Sequence, residues 1–287
     1  METRDWTILK VLHEEKNITK TAELLYVSQP AMTKRLKQIE REFGVEIVHR
    51  SKRGVHFTPQ GEYLAKCAGN ILKQLQKIQN NLENMQDSIE GTLRIGASNF
   101  ITRHKLPEIL AGFKKEYPKV NFQVTNGWSN DIFSLIANQD VHVAFVRGDY
   151  DWQSNKELYL EETICIISAE PIELSDLPKL QRIEYNKDYK LNELINDWWW
   201  GHYSEPPQVC MKVDRSDICR EMVVKGLGYA ILPSLVVEKE KNIYKVDLSD
   251  IHGNLMKRKT WLFYHQETLE LKLVKTFVDF VKAYQMR

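Results

Sequence analysis

The chain has 287 residues, 43% of them hydrophobic, which suits two or three domains with sizeable cores. Its net charge of +1 carries no information on a nucleic-acid partner. With no N-terminal leader-like run and no stretch of about 18 apolar residues, the sequence predicts a cytoplasmic protein without a membrane partner.

Charge is unevenly spread. Residues 1–58 carry eleven Lys/Arg against eight Asp/Glu, and within 28–58 the count is seven against three. A locally basic segment on a near-neutral chain is the pattern of a DNA-binding head on a larger body. Trp6, Ile8, Leu9, Val11 and Leu12 suit an amphipathic first helix, which Asn17-Ile18-Thr19 breaks. Thr19 is the expected N-cap of a short second helix, and Tyr26-Val27-Ser28 reads as a tight turn. Ser28 caps a third helix with Pro30 in its first turn, where a missing N–H costs nothing. That helix stops at Gly44, and Ala22, Leu25, Val27, Leu36 and Ile39 are the expected core.

Two short helices, a tight turn and a basic helix make a helix-turn-helix. Val45–Val48 and Val55–Phe57 read as two short strands joined by the basic turn 50–54, a wing suited to lying along phosphates. The residues expected against DNA are Ser28, Gln29, Pro30, Thr33, Lys34, Arg35 and Lys37, with Arg50, Lys52 and Arg53 of the turn. Gln pairs with adenine edges, Lys reaches guanine or phosphate, and the Thr methyl can meet thymine.

Thr58 and Pro59 open a long helix in which Leu64, Ala68, Ile71, Leu75, Ile78, Leu82, Met85 and Ile89 recur in alternating steps of four and three. A seam this narrow calls for a partner helix and predicts a homodimer. Glu90-Gly91 ends it. Beyond it, 93–97, 122–124 and 141–146 read as strands separated by helices, a βαβαβ order that predicts a parallel sheet. A second such set is expected from strands at 163–168, 208–213, 228–232 and 257–264, with a helix at 216–226 and a last helix at 268–285. The stretch 173–208 gives no clear pattern; Trp198-Trp199-Trp200 fits a core or a cleft lining.

Residues just past parallel strands converge at one sheet edge, where ligands bind. Ser98-Asn99-Phe100, Ser129 and Arg147 hold such positions, Arg258 lies in an apolar strand, and Ser216 opens a helix. Hydroxyls, helix starts and two arginines point to a carboxylate-bearing ligand. Each serine equally fits a helix cap, and each arginine a surface ion pair. The four cysteines, Cys67, Cys165, Cys210 and Cys219, lack C-x-x-C spacing and are expected as small core residues, with no metal or cofactor. No H-E-x-x-H, G-x-S-x-G or G-x-x-x-x-G-K run supports an enzyme, and Gly226-Leu227-Gly228 reads as a helix-to-strand turn. An architectural DNA-binding protein is the other alternative; it would not need some two hundred residues after the helix.

Thr21-Ala22-Glu23-Leu24-Leu25, Val27-Ser28-Gln29-Pro30-Ala31, Ile39-Glu40, Phe43-Gly44, and Arg50 followed by Thr58-Pro59-Gln60-Gly61 resemble a LysR-type transcriptional regulator. The resemblance implies an α/β multidomain protein: a winged helix-turn-helix at 1–58, a dimerising linker helix at 59–90, and a two-lobed, periplasmic-binding-protein-like effector domain at 91–287. Lobe 1 would comprise 91–161 and 266–287, and lobe 2 would comprise 162–265. It further implies double-stranded promoter DNA as partner, a homotetramer built from dimers, and an effector between the lobes. Some members with a similar serine-and-arginine set sense citrate-like metabolites.

Overall fold

A computed structural model describes residues 1–51, 54–84, 89–238 and 240–285, in two compact units, Met1–Asp87 and Ser88–Arg287.

The first unit begins with three helices, α1 (Thr3–Glu15), α2 (Ile18–Leu24) and α3 (Gln29–Phe43). Leu9, Leu12, Met32, Leu36 and Ile39 fill its core, each side chain contributing about 1.5–3 kcal/mol by leaving water. Asn17, rather than the expected Thr19, caps α2, because its side chain accepts the Lys20 N–H. Ser28 caps α3 by accepting the Ala31 N–H at 3.3 Å, and Gly44 closes the helix at φ 66°. The wing pairs β1 (Val48–Ser51) antiparallel to β2 (Gly54–Phe57).

Helix α4 (Pro59–Asn84) starts where Thr58 accepts the Gly61 N–H at 2.9 Å and donates to the Glu46 carbonyl at 2.6 Å. A Cβ at Gly61 would lie 2.1 Å from the Ile47 carbonyl oxygen, so only glycine lets this first turn seat against the wing. Leu64 and Ala68 are buried in the core of this unit, whereas Ile78 and Leu82 are exposed within the protomer. Ile89 is not part of the helix; it packs on a core of the second unit. Met85 lies outside the described residues.

The second unit opens with β3 (Gly91–Ser98), α5 (Asn99–His104), α6 (Leu106–Glu116), β4 (Val120–Gly127), α7 (Ser129–Ala137) and β5 (Val143–Arg147). Strand β3 lies between β4 and β5 and is parallel to both, as the βαβαβ pattern requires. Next come β6 (Asn155–Ser168), β7 (Gln181–Tyr185), α8 (Tyr189–His202), β8 (Gln208–Val213), α9 (Ser216–Val224), β9 (Ala230–Pro233), β10 (Tyr244–Asp247), β11 (Lys257–Tyr264) and α10 (Lys272–Gln285).

The second set is not the expected parallel repeat. β7 and β8 pair parallel, with one further parallel bridge from Arg182 to Tyr229, while β9, β10 and β11 each run antiparallel to β6. The fourteen-residue β6 serves two cores: Tyr159 packs with Leu93, Ile109, Phe113, Phe145 and Phe277, and Ile164 and Ile166 pack with Ile183, Ile195, Trp199 and Tyr229. Trp198 and Trp199 are core residues, whereas Trp200 is exposed. Cys165 and Cys219 are buried as expected and Cys67 is half-buried, but Cys210 is exposed because β8 offers most of its length to solvent. The glycine pair does form the turn from α9 to β9: Gly228 sits at φ 149°, with a hypothetical Cβ only 2.5 Å from the Gln181 carbonyl oxygen.

Candidate functional site

On the head, cap and core residues orient α3 and decide which of its side chains are presented. Burying Met32, Leu36 and Ile39 turns Gln29, Pro30, Lys34 and Lys37 outward. Thr33 is half-exposed, and its hydroxyl accepts from Gln29 Nε2 at 3.3 Å. Ser28 is exposed, and its oxygen is used by the cap. Arg35 departs from the expectation of a free DNA-facing cation. Its guanidinium holds both carboxylate oxygens of Asp5, at 2.5 and 2.7 Å. Asp5 is buried, so it requires a countercharge. Burial pushes the Asp5 carboxyl up, but the Arg35 hydrogen bonds and the Glu2 amide outweigh it and hold the pKa below its usual value. Arg50 lies in β1. Lys52 and Arg53 lie outside the described residues.

The second unit contains a cavity of about 520 Å³ at the carboxyl ends of β3, β4 and β5. All seven residues expected to hold an effector line it: Ser98, Asn99, Phe100, Ser129 and Arg147 from the side of the first core, Ser216 opening α9, and Arg258 on β11. Helix α5 has only six residues, too short to supply the helix-start field expected beside Ser98. Ser129 and Ser216 open nine-residue helices, α7 and α9, whose N-cap residues Trp128 and Arg215 make no side-chain cap hydrogen bond. Asn99 accepts a 2.8 Å hydrogen bond from Asn126. Phe100 packs against both cores and lies under the Arg147 guanidinium, 4.0 Å from ring centroid to Cζ.

Both arginines are in ion pairs, the alternative left open by the sequence, but the pairs are buried rather than on the surface. Arg147 is ion-paired with Glu162 on β6, and Arg258 with Asp188, the N-cap of α8. Arg147, Glu162 and Arg258 are buried and Asp188 is partly buried, with side-chain exposures of 6%, 1%, 4% and 10%. Burial and the neighbouring Arg258 charge both push the Arg147 pKa down. Register explains the clustering: Arg258 pairs with Glu162 across β11 and β6, and Thr260 with Arg147 across β11 and β5.

Hydrogen bonding around this cluster is incomplete. Among the described residues, eight buried side-chain polar atoms lack a hydrogen-bond partner. Six of them belong to Ser98, Arg147, Glu162, Tyr185, Arg258 and Thr260. Folded proteins leave few such atoms, because each forfeits about 1–3 kcal/mol; six at one place mark a site rather than a core. Burial also raises the Tyr185 hydroxyl pKa and lowers that of the adjacent Lys187 ammonium.

Glu162, Tyr185, Lys187 and Asp188 escaped the sequence reading. Glu162 carried a signal, a carboxylate followed within two residues by the apolar run Ile164–Ile167. Asp188 carried another, an N-cap residue followed by apolar Leu191, Leu194, Ile195 and Trp198 at helical spacing.

Residues 3–62 match the bacterial regulatory helix-turn-helix family of lysR type, and residues 86–285 match the LysR substrate binding domain. The chain is 40% identical over 286 residues to the uncharacterized HTH-type transcriptional regulator YraN of Bacillus subtilis, covering 100% of this chain and 99% of that protein. It is 31% identical over 284 residues to YkuM of the same organism, covering 98% and 97%. Among solved structures, full-length CbnR complexed with its target DNA superposes with a TM-score of 0.67 at 17% identity, covering 99% of each chain. The full-length Vibrio cholerae virulence activator AphB gives 0.65 at 17% identity, covering 99% of this chain and 100% of that one; at such identities these two show the shared fold. Two matched domains in the expected order and relatives along the whole length give one conclusion: the chain belongs to the LysR family of DNA-binding transcriptional regulators, with a helix-turn-helix head and an effector-binding domain, and is not an enzyme.

Proposed function

We propose that this regulator acts in the cytoplasm, binds promoter DNA as a homodimer or as a homotetramer made of two dimers, and answers to a small organic acid held in the 520 Å³ cavity. The observation that carries the effector reading is the cluster of six partnerless buried polar atoms around Ser98, Arg147, Tyr185 and Arg258. A ligand carboxylate held by Arg147 and Arg258, which both line the cavity, would gain charge-assisted hydrogen bonds that contribute about 1.5–3 kcal/mol each. Ser98, Asn99, Phe100, Ser129 and Ser216 complete the proposed contacts. A citrate-like carboxylate is the member of this class that the family resemblance suggests. On the head, Gln29, Thr33, Lys34 and Lys37 read base edges, supported by Ser28 and Pro30. Arg35 holds the head together, and Arg50, Lys52 and Arg53 lie on phosphates.

The test uses the full-length protein, fluorescent DNA from beside its own gene, and titration with an organic-acid panel. The expected result is salt-sensitive, sequence-specific binding whose affinity changes with one or more acids. Sequence-specific binding indifferent to every acid would instead support an architectural role.

A further inference from the structure

The cleft contains acids where an anion-binding site would be expected to contain only bases. Glu162 neutralises Arg147, and Asp188 neutralises Arg258. Five basic side chains line the cavity: Arg103, Arg147, Lys187, Arg215 and Arg258. Against them stand Asp188, Asp214 and Asp217 in the lining, and Glu162 directly behind Arg147. One net positive charge remains. Asp217 further occupies both Arg103 and Arg215, each at 2.9 Å or closer.

We propose that Glu162 and Asp188 set how much negative charge the effector cleft accepts; the inference rests on the organic-acid reading above. Neither acid is placed to help an anion. Each already takes the Nη2 of its arginine, so a ligand has only the rest of the guanidinium fork to engage. A bound carboxylate must share each arginine with the acid already there. In this low-dielectric pocket the two anions repel, and the repulsion grows with every charge the ligand carries. Displacing Glu162 is no escape, because it would leave a buried carboxylate unpaired. The acids therefore favour ligands of low charge and hold down the affinity for highly charged ones, which counts against the citrate-like member of the class that the family resemblance suggests. A buried Glu beside Arg147 thus acts as a discriminator, through repulsion built into the site.

The test compares the full-length protein with Glu162→Gln and Asp188→Asn, titrating acetate, succinate and citrate by calorimetry at constant ionic strength. Both substitutions keep shape and remove charge, and Asn at 188 still caps α8. The expected result is tighter binding in each variant, by a factor that rises with ligand charge: a few-fold for acetate and on the order of tenfold or more for citrate. Equal gains for all three acids, or unchanged or weaker binding in both variants while the wild type binds, would overturn the proposal and leave the organic-acid reading standing. If Glu162→Gln does not fold, Asp188→Asn decides. Binding of none of the acids to wild type or variants would overturn the organic-acid reading and this inference with it.

Discussion

Asp5 on the first helix accepts two hydrogen bonds from Arg35 on the third, although thirty residues separate them in sequence. This pair ties the helix that carries the proposed base-reading residues to the helix that supports it. Asp5→Ala should destabilise the head by about 2 kcal/mol, less than the 3–5 kcal/mol of a fully buried pair because Arg35 retains solvent contact. Urea unfolding followed by Trp6 fluorescence measures it; a change below about 0.5 kcal/mol would show the pair to be surface decoration. The same pair fixes a pH dependence. The Asp5 pKa lies below its ordinary value in the folded state, so its contribution is present above that ordinary value and fades as pH falls through the lowered one.

The exposed end of the α4 seam allows a test of dimerisation that leaves the protomer's own core alone. Ile78 and Leu82 are 55% and 59% exposed. Ile78→Asp combined with Leu82→Asp should leave the secondary structure intact and convert the protein to monomers in sedimentation velocity, since paired buried charges cost a dimer several kcal/mol. A folded double variant of unchanged mass would remove the seam from the dimer interface.

Ser98 and Tyr185 carry buried hydroxyls without hydrogen-bond partners. Ser98→Ala and Tyr185→Phe should therefore raise stability slightly, by up to about 1 kcal/mol each, while weakening effector binding about five- to tenfold. Opposite signs in melting temperature and affinity separate a ligand contact from a structural role, which would lose both together.

His142 gives the second unit its own acid sensitivity. Burial, aided by the Arg94 charge, pushes its pKa from 6.5 to about 3, and its Nδ1 accepts the Arg94 N–H at 3.2 Å. The unfolded chain binds this proton near pH 6.5 and the folded one does not until about pH 3. Stability is therefore fully present above pH 6.5 and declines as pH falls toward 3, by at most about 1.4 kcal/mol per pH unit. His142→Gln should flatten the fall in melting temperature between pH 7 and 5; an unchanged slope would assign it to other groups.

The head and the three parallel strands were legible because their signals are local: caps, a glycine stop, apolar spacing at helical or strand period. The Ser98, Ser129 and Arg147 positions followed from strand order alone. What escaped depends on distant pairing. No pattern in Tyr244–Asp247 announces that it will join β6, and β7 has only five residues behind a 3-10 turn containing Pro178. The arginines were found, but their acids were not, because Arg147 and Glu162 meet only through strands paired with β11. Ile89 continued the heptad count by coincidence of spacing, while its packing belongs to the next unit.

The first core of the second unit is closed by α10, more than a hundred residues after β5. Val274, Phe277, Val278 and Val281 of α10 pack with Leu93, Ile95, Ile109 and Phe113, and Leu262 and Tyr264 of β11 join them. During synthesis the head can finish folding early, from contacts within its own first 84 residues. Strands β3, β4 and β5 must wait, one face uncovered, until α10 has left the ribosome. That interval is the period of greatest exposure to aggregation, and a stop codon before residue 272 would make it permanent.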